Sequence, residues 1–245
     1  MLTALNQKFD IFINSLCGLH VHVGEGNDGF NLEPLQHLMA TIWIFEPKIS
    51  SLLHRSRRAG AMYCAPLQER SNLGVRKYEG NLLDVLLSLT LLSSPDSNEL
   101  VNMFCGHGGV YTIAYSVLNL RRPFWHPVKR TIEFRQHEGS TDPETVLNWV
   151  SFLVELVTWA HKICRQDLKI FLSKYINEKE EYSVEDLFKE IGFPESTIQF
   201  YRRKVARLAE AEEEEAEEEE ARNAAGNANK GAGQRNDSSS SDTWV

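Results

Sequence analysis

The chain has 245 residues, 42% of them hydrophobic, enough to bury one substantial core or a core with a small appendage. Its formal net charge of −8 sits at one end: residues 210–245 carry eleven Asp/Glu against three Lys/Arg, and residues 1–209 are balanced. A neutral body has no general electrostatic attraction for nucleic acid or an anionic membrane, so neither is expected as a partner. Four scattered cysteines without a C-x-x-C pair, no basic-then-apolar leader and no apolar run of the roughly 18–20 residues that span a bilayer predict a reduced, cytoplasmic protein.

The first patterned stretch, KFDIFIN at 8–14, alternates Phe9, Ile11 and Ile13 against Asp10 and Asn14 and predicts a strand, with Phe12 as the exception. LHVHV at 19–23 alternates cleanly, with Leu19, Val21 and Val23 on one face and His20 and His22 on the other. EGNDG then reads as a turn. From Asn31 to about His54, Leu32, Leu35, Leu38, Met39, Ile42, Phe45, Ile49 and Leu52 recur at helical spacing, and Pro47 is expected to kink or split that helix. HRSRRAGAMYCAP, from His54, is basic and irregular. NLLDVLLSLTLL at 81–92 predicts a buried helix ended by SSPDSN. CGHGG at 105–109 lacks the Lys-Ser/Thr and the following helix of a phosphate loop and reads as a flexible connection. VYTIAYSVLNL contains a strand near 111–119.

VKRTIEFRQHEG predicts a strand with Ile132 and Phe134 facing one way and Thr131, Glu133, Arg135 and His137 the other. STDPETVLNWVSFLVELVTWAHK predicts a helix capped by Asp142, with Pro143 in the first turn and Val146, Val150, Leu153, Val154 and Val157 as its buried stripe. SVEDLFKEIG has a Ser-x-x-Asp start and a Gly stop, and STIQFYRRKVARL begins a further helix. The Glu run after it reads as a solvated acidic segment, and from about residue 222 the near-absence of apolar residues predicts disorder. Strands and helices without a regular β-α-β rhythm make the fold class α+β.

On a strand, residues two apart share a face and stand roughly 6.6 Å apart. His20 and His22 can therefore point into one site, and Glu133 with Arg135 can do the same from a second strand. If the two strands pair, two imidazoles, a carboxylate and a guanidinium meet in one small volume. Carboxylate and imidazole suit a divalent ion, and a guanidinium fork grips phosphate or carboxylate, a set that suits phosphoryl chemistry. The alternative is two half-exposed strands with polar residues outward.

CGLHVHVG, then YCAPL, then TIEFRQHEGSTDPETVLNWVSFLVELV closely resemble the amidoligase family, which is similar to glutamine synthetase and the glutamate–cysteine ligases. The resemblance covers roughly residues 10–165, and TIEFRQHEG followed by a helix is its most specific part. It implies an antiparallel, glutamine synthetase-like sheet backed by helices. It also implies ATP-dependent joining of a carboxylate to an amine through an acyl phosphate, on small-molecule or peptide substrates. Carried over by position, it implies His20 and Glu133 as metal ligands, His22 and Arg135 toward nucleotide phosphate, and Glu133 and Arg135 as catalytic. ATP and Mg²⁺ are the implied cofactors, with Mn²⁺ a reasonable substitute because a histidine ligand is softer than Mg²⁺ prefers. Arg55, Arg57 and Arg58 offer a further anion contact, and Arg58, by its distance from YCAPL, is the one expected at the nucleotide; a solvated basic loop is the alternative. Asn119 lies where the family often has a site Asn.

Such sites also need an early strand with closely spaced glutamates, yet the first glutamate here is Glu25 and only Asp10 is acidic before it. The expected organisation is a partial catalytic domain at 1–165 lacking its N-terminal part, a helical extension at 166–209 and a mostly disordered acidic tail at 210–245, with an uncovered sheet edge open to self-association. A catalytically inactive amidoligase-fold module, acting through or completed by a partner, is the alternative function. A barrel hydrolase binding zinc through His-x-His would need eight β-α units, which this length and order do not supply.

Overall fold

A computed structural model describes residues 1–14, 16–26, 29–58, 64–75, 97–109, 113–117, 120, 130–177 and 182–233. It mixes helices with an antiparallel three-stranded sheet, an α+β arrangement. Among the described residues the strands are β1 (Gly18–Gly24), β2 (Tyr115–Ser116) and β3 (Thr131–Glu138), in the order β1-β3-β2, so β3 is central and β1 lies at an outer edge. The apolar face of β3, Ile132 and Phe134, is fully buried, and the Tyr115 ring meets Phe134 edge-on at 5.9 Å. Ile132 and Phe134 alternate with Thr131, Glu133 and Arg135 as the period-two pattern requires.

One irregularity changes that pattern. Val21 pairs with Phe134, but Leu19 pairs with His137, so an extra residue of β3 sits opposite His20. This β-bulge moves the strand out of phase, and Gln136 and His137 are consecutively buried. His137 therefore does not share the face of Glu133 and Arg135: it is packed inside against Trp149, with ring centroids 5.0 Å apart.

The helices are α1 (Leu2–Asn6), α2 (Leu32–Ser50), α3 (Leu67–Arg70), α4 (Ser97–Phe104), α5 (Pro143–Lys162), α6 (Arg165–Asn177), α7 (Val184–Ile191) and α8 (Glu195–Gly233). Central among them is α2, buried on every side from Leu35 to Glu46 and packed against α3, α4, α5 and α6. Two of its buried polar side chains find partners: Thr41 donates to the His37 carbonyl at 2.8 Å, and His37 Nδ1 lies 3.2 Å from the Ala160 carbonyl of α5. Pro47 does not split α2, which runs on to Ser50. Proline lacks the N–H that would reach the Trp43 carbonyl four residues back, and the side-chain amide of Gln68 donates to that carbonyl instead. The lost bond is replaced from outside the helix, in its last turn.

Asp142 caps α5 as its chemistry requires, accepting from Thr145 N at 2.9 Å and Glu144 N at 3.4 Å, with Pro143 in the first turn. The buried stripe of α5 is Trp149, Phe152, Leu153, Leu156, Val157 and Ala160. Leu153 and Val157 were expected in it, but Val154 is exposed. Bulky Trp149 and Phe152 carry more apolar area than the valines and turn the helix to their side. Ser183 and Asp186 form a reciprocal capping box on α7, and Gly192 stops that helix at φ +90°, a left-handed conformation open to glycine. Ser183→Ala is expected to cost about 1 kcal/mol of stability, measured as a shift in urea unfolding.

Residues 8–14 do not form the strand that their alternation predicts: Phe9, Ile11 and Phe12 are exposed, and the segment is irregular. Alternation assigns faces, but a strand also needs a hydrogen-bonded neighbour, and this segment has none among the described residues. The strand near 111–119 is realised at Tyr115–Ser116, and the 81–92 helix and Asn119 lie outside the described residues. CGHGG carries a short 3₁₀ turn, His107–Gly109, tied down where Asn72 N donates to the Cys105 carbonyl at 2.8 Å.

By its internal contacts the chain divides at Arg202/Arg203. The second unit is helical as far as Gly233, through the Glu run and past residue 222, where disorder was expected. Ala and Glu are strong helix formers, so local propensity supports a helix there without a buried face. Among the described residues no helix is long and apolar enough to cross a membrane. The four cysteines are free.

Candidate functional site

Antiparallel pairing sets His22 of β1 directly opposite Glu133 of β3, and Ser116 of β2 opposite Glu133 on its other side. Cross-strand partners share a face, so one side of the sheet presents His20, His22, Thr131, Glu133, Arg135 and Ser116. The expected four side chains do converge. Glu133 Oε1 is the focus: Arg135 Nη1 donates to it at 2.7 Å, His20 Nδ1 lies 3.1 Å away and His22 Nε2 lies 3.9 Å away. His22 is steered by its other nitrogen, Nδ1, 3.0 Å from the Thr131 hydroxyl.

Exposure grades across this cluster. The Glu133 side chain is only 14% accessible, whereas those of His20 and His22 are 36% and 34% accessible. The face is therefore open to solvent on the β1 side and closed at the carboxylate. An ionised carboxylate only accepts, so Glu133 favours the His20 tautomer with its proton on Nδ1, leaving a lone pair on Nε2. Burial, then the Arg135 charge, hold the His20 imidazole below its ordinary titration range, with Arg57 adding to the effect and Glu133 opposing it. A neutral, lone-pair-bearing imidazole follows at neutral pH.

The arginine loop is ordered locally. His54 caps a 3₁₀ turn, Arg55–Arg57, by accepting from Ser56 N at 3.2 Å, and its own N–H points to Glu138 Oε2 at 3.4 Å. Arg58, expected at the nucleotide, donates from Nε to the Leu53 carbonyl at 2.8 Å. Its neighbour Arg57 is buried, donates from Nη2 to the Cys17 carbonyl just before β1, and acts electrostatically on His20. Ser116 is a site-lining residue that sequence reasoning missed, while Arg57 was one of three arginines named for an anion contact, with Arg58 preferred to it. Nothing in HRSRR separates the arginine that turns inward from its neighbours, and only strand pairing brings Ser116 to Glu133.

This donor set fits an anion. One guanidinium and two imidazoles surround the Glu133 carboxylate, a second guanidinium, that of Arg57, acts on His20, and the Nε atoms of Arg57 and Arg135 are buried without a hydrogen-bond partner among the described residues. A cation is less well served, because the imidazoles and carboxylate point at one another. Among the described residues no group of three His, Cys, Asp or Glu is arranged to hold a metal ion.

A family model whose description reads Putative amidoligase enzyme matches residues 1–157. No curated protein and no solved structure matches the chain. The matched residues make up well over half of the sequence and include every side chain of the face described above; the chain belongs to the amidoligase family.

Proposed function

We propose that the protein is an ATP-dependent carboxylate–amine ligase, forming an amide or peptide-like bond through an acyl phosphate. One observation carries the reading: His20, His22 and Arg135, from two strands, gather within 4 Å of a single Glu133 carboxylate oxygen on an open sheet face. In this reaction the carboxylate substrate attacks the γ-phosphorus of ATP, the bond to the β–γ bridging oxygen breaks, and ADP leaves. The amine then attacks the acyl carbon, phosphate departs, and a proton is lost from nitrogen. Most of the work is positioning and charge neutralisation. Arg135 is the residue to hold a phosphoryl oxygen, exchanging its contact with Glu133 for the stronger anion, and His22 assists it. A divalent ion, Mg²⁺ or Mn²⁺, would supply Lewis-acid charge neutralisation with Glu133 and His20 as its ligands here. Since those side chains form no ready cation cage, no step is routed through the ion.

A second reading rests on that same shortage of carboxylates: a catalytically inactive amidoligase-fold module, acting through or completed by a partner. Calorimetric titration with ATP, with and without Mn²⁺, separates the two. The ligase reading requires metal-dependent ATP binding and at least a tenfold weaker Mn²⁺ affinity in Glu133→Gln, because loss of one hard anionic ligand costs over ~1.4 kcal/mol. Equal affinity in wild type and variant would reduce the cluster to a polar strand face. Metal-dependent ATP binding without amine-dependent turnover would favour the inactive module.

A further inference from the structure

Arg57 has features that a solvated loop arginine lacks. Its side chain is withdrawn from solvent, with the residue 3% exposed, and one terminal nitrogen is anchored to the Cys17 carbonyl. Its carbonyl accepts from Cys64 Sγ at 3.4 Å, which fixes the base of the side chain as well. Its Nε remains buried and unpartnered among the described residues, as does that of Arg135. A buried guanidinium donor without an acceptor is costly unless a ligand supplies one.

The place where Arg57 meets the site is set by Gly18. A Cβ on Gly18 would stand 2.9 Å from Arg57 Nη2 and 3.1 Å from His20 Nε2, inside normal contact for both. The missing side chain is thus what lets the guanidinium and the lone-pair nitrogen of His20 approach each other over the start of β1. Arg135 acts on the same imidazole from β3. His20 therefore lies under the influence of two arginines, each with an unused buried donor.

We propose that Arg57 is a binding residue of this face, holding a phosphate oxyanion of the nucleotide beside His20 and sharing it with Arg135. The assignment rests on reading the face as a phosphate site and adds to it a second guanidinium from outside the sheet. Arg57 contributes a preorganised donor, since its anchor to Cys17 is already made before the ligand arrives. Gly18 is a positioning residue that keeps the approach open.

The test is calorimetric titration of the full chain with inorganic pyrophosphate in the presence of a chelator, so that no metal contributes. Arg57→Met is expected to weaken pyrophosphate binding at least tenfold. Because loss of a buried anchor can also disturb folding, Gly18→Ala is the second variant: it keeps every charge, displaces the Arg57 tip, and is expected to weaken binding at least tenfold with an unfolding temperature close to wild type. Absence of pyrophosphate binding in wild type, wild-type affinity in both variants, or loss of binding in Arg58→Met but not in Arg57→Met would overturn the proposal. The ligase reading fails separately. Arg57-dependent pyrophosphate binding without metal-dependent ATP binding would sink the ligase and keep this assignment. Glu133-dependent Mn²⁺ and ATP binding with no effect of Arg57→Met would do the reverse.

Discussion

Phe152→Ala is expected to lower the unfolding free energy by about 3–5 kcal/mol, the range for emptying a large aromatic site in a core. Phe152 is fully buried on α5 and touches four rings: Trp149 stacked at 5.3 Å, Phe193 stacked at 5.5 Å, Phe188 edge-on at 5.7 Å and Tyr201 edge-on at 6.0 Å. Those partners come from α5, α7 and α8 and from the turn that Gly192 opens, so one truncation loosens several joints together. Surrounding rings are rigid and cannot collapse fully into the space, which places the cost toward the upper end. Since a domain of this kind is stable by about 5–15 kcal/mol, the variant should be visibly shifted in urea unfolding. A loss below about 1 kcal/mol would mean that the ring cluster is looser than its distances indicate.

The second large effect is a pH dependence centred on Glu46. This carboxyl is buried on α2 and accepts from Leu67 N at 2.6 Å and Gln68 N at 2.8 Å, capping the short helix α3 from outside. Burial pushes it from the ordinary 4.5 up to about 7, against the opposing pull of those two N–H groups. Folded protein thus holds the proton more tightly than unfolded protein does. Its contribution to stability is complete below pH 4.5 and is lost as pH rises through about 7, a swing of about 3 kcal/mol. His37, whose imidazole burial holds below its ordinary 6.5, acts in the other sense, losing its contribution as pH falls. Comparing wild type with Glu46→Gln cancels the His37 part. The stability of wild type relative to the variant should fall by about 2–3 kcal/mol between pH 5 and pH 8. A constant difference would mean that Glu46 stays ionised in the fold.

What could be read from sequence divides by the range of the interactions involved. Asp142 with Pro143, and Ser183 with Asp186 and Gly192, announce their helix ends because a cap is satisfied within four residues of itself. His20 with His22, and Glu133 with Arg135, show their shared faces because strand period is a local property. Features decided by a distant partner stayed hidden. The bulge that turns His137 inward exists only because β1 pairs with β3, more than a hundred residues away. The continuity of α2 through Pro47 depends on Gln68, and the burial of Arg57 on the Cys17 carbonyl. Residues 8–14 show the converse, a strand pattern without a partner.

The two histidines and the Glu133–Arg135 pair differ in how firmly the fold holds them. Among the described residues β3 has a neighbour on each side, whereas β1 is bonded on one side only. Detaching β1 would separate the imidazole half of the site from the carboxylate–guanidinium half while the Phe152 cluster stayed packed. Such a partial opening needs far less free energy than global unfolding. A ligand that bridges His22 and Arg135 binds only the closed form and raises the opening free energy by RT ln(1 + [L]/Kd). Occupancy of the site should therefore appear as slowed amide hydrogen exchange along Gly18–Gly24, with the amides of α5 unchanged, which makes the edge strand a built-in reporter of binding that does not depend on turnover.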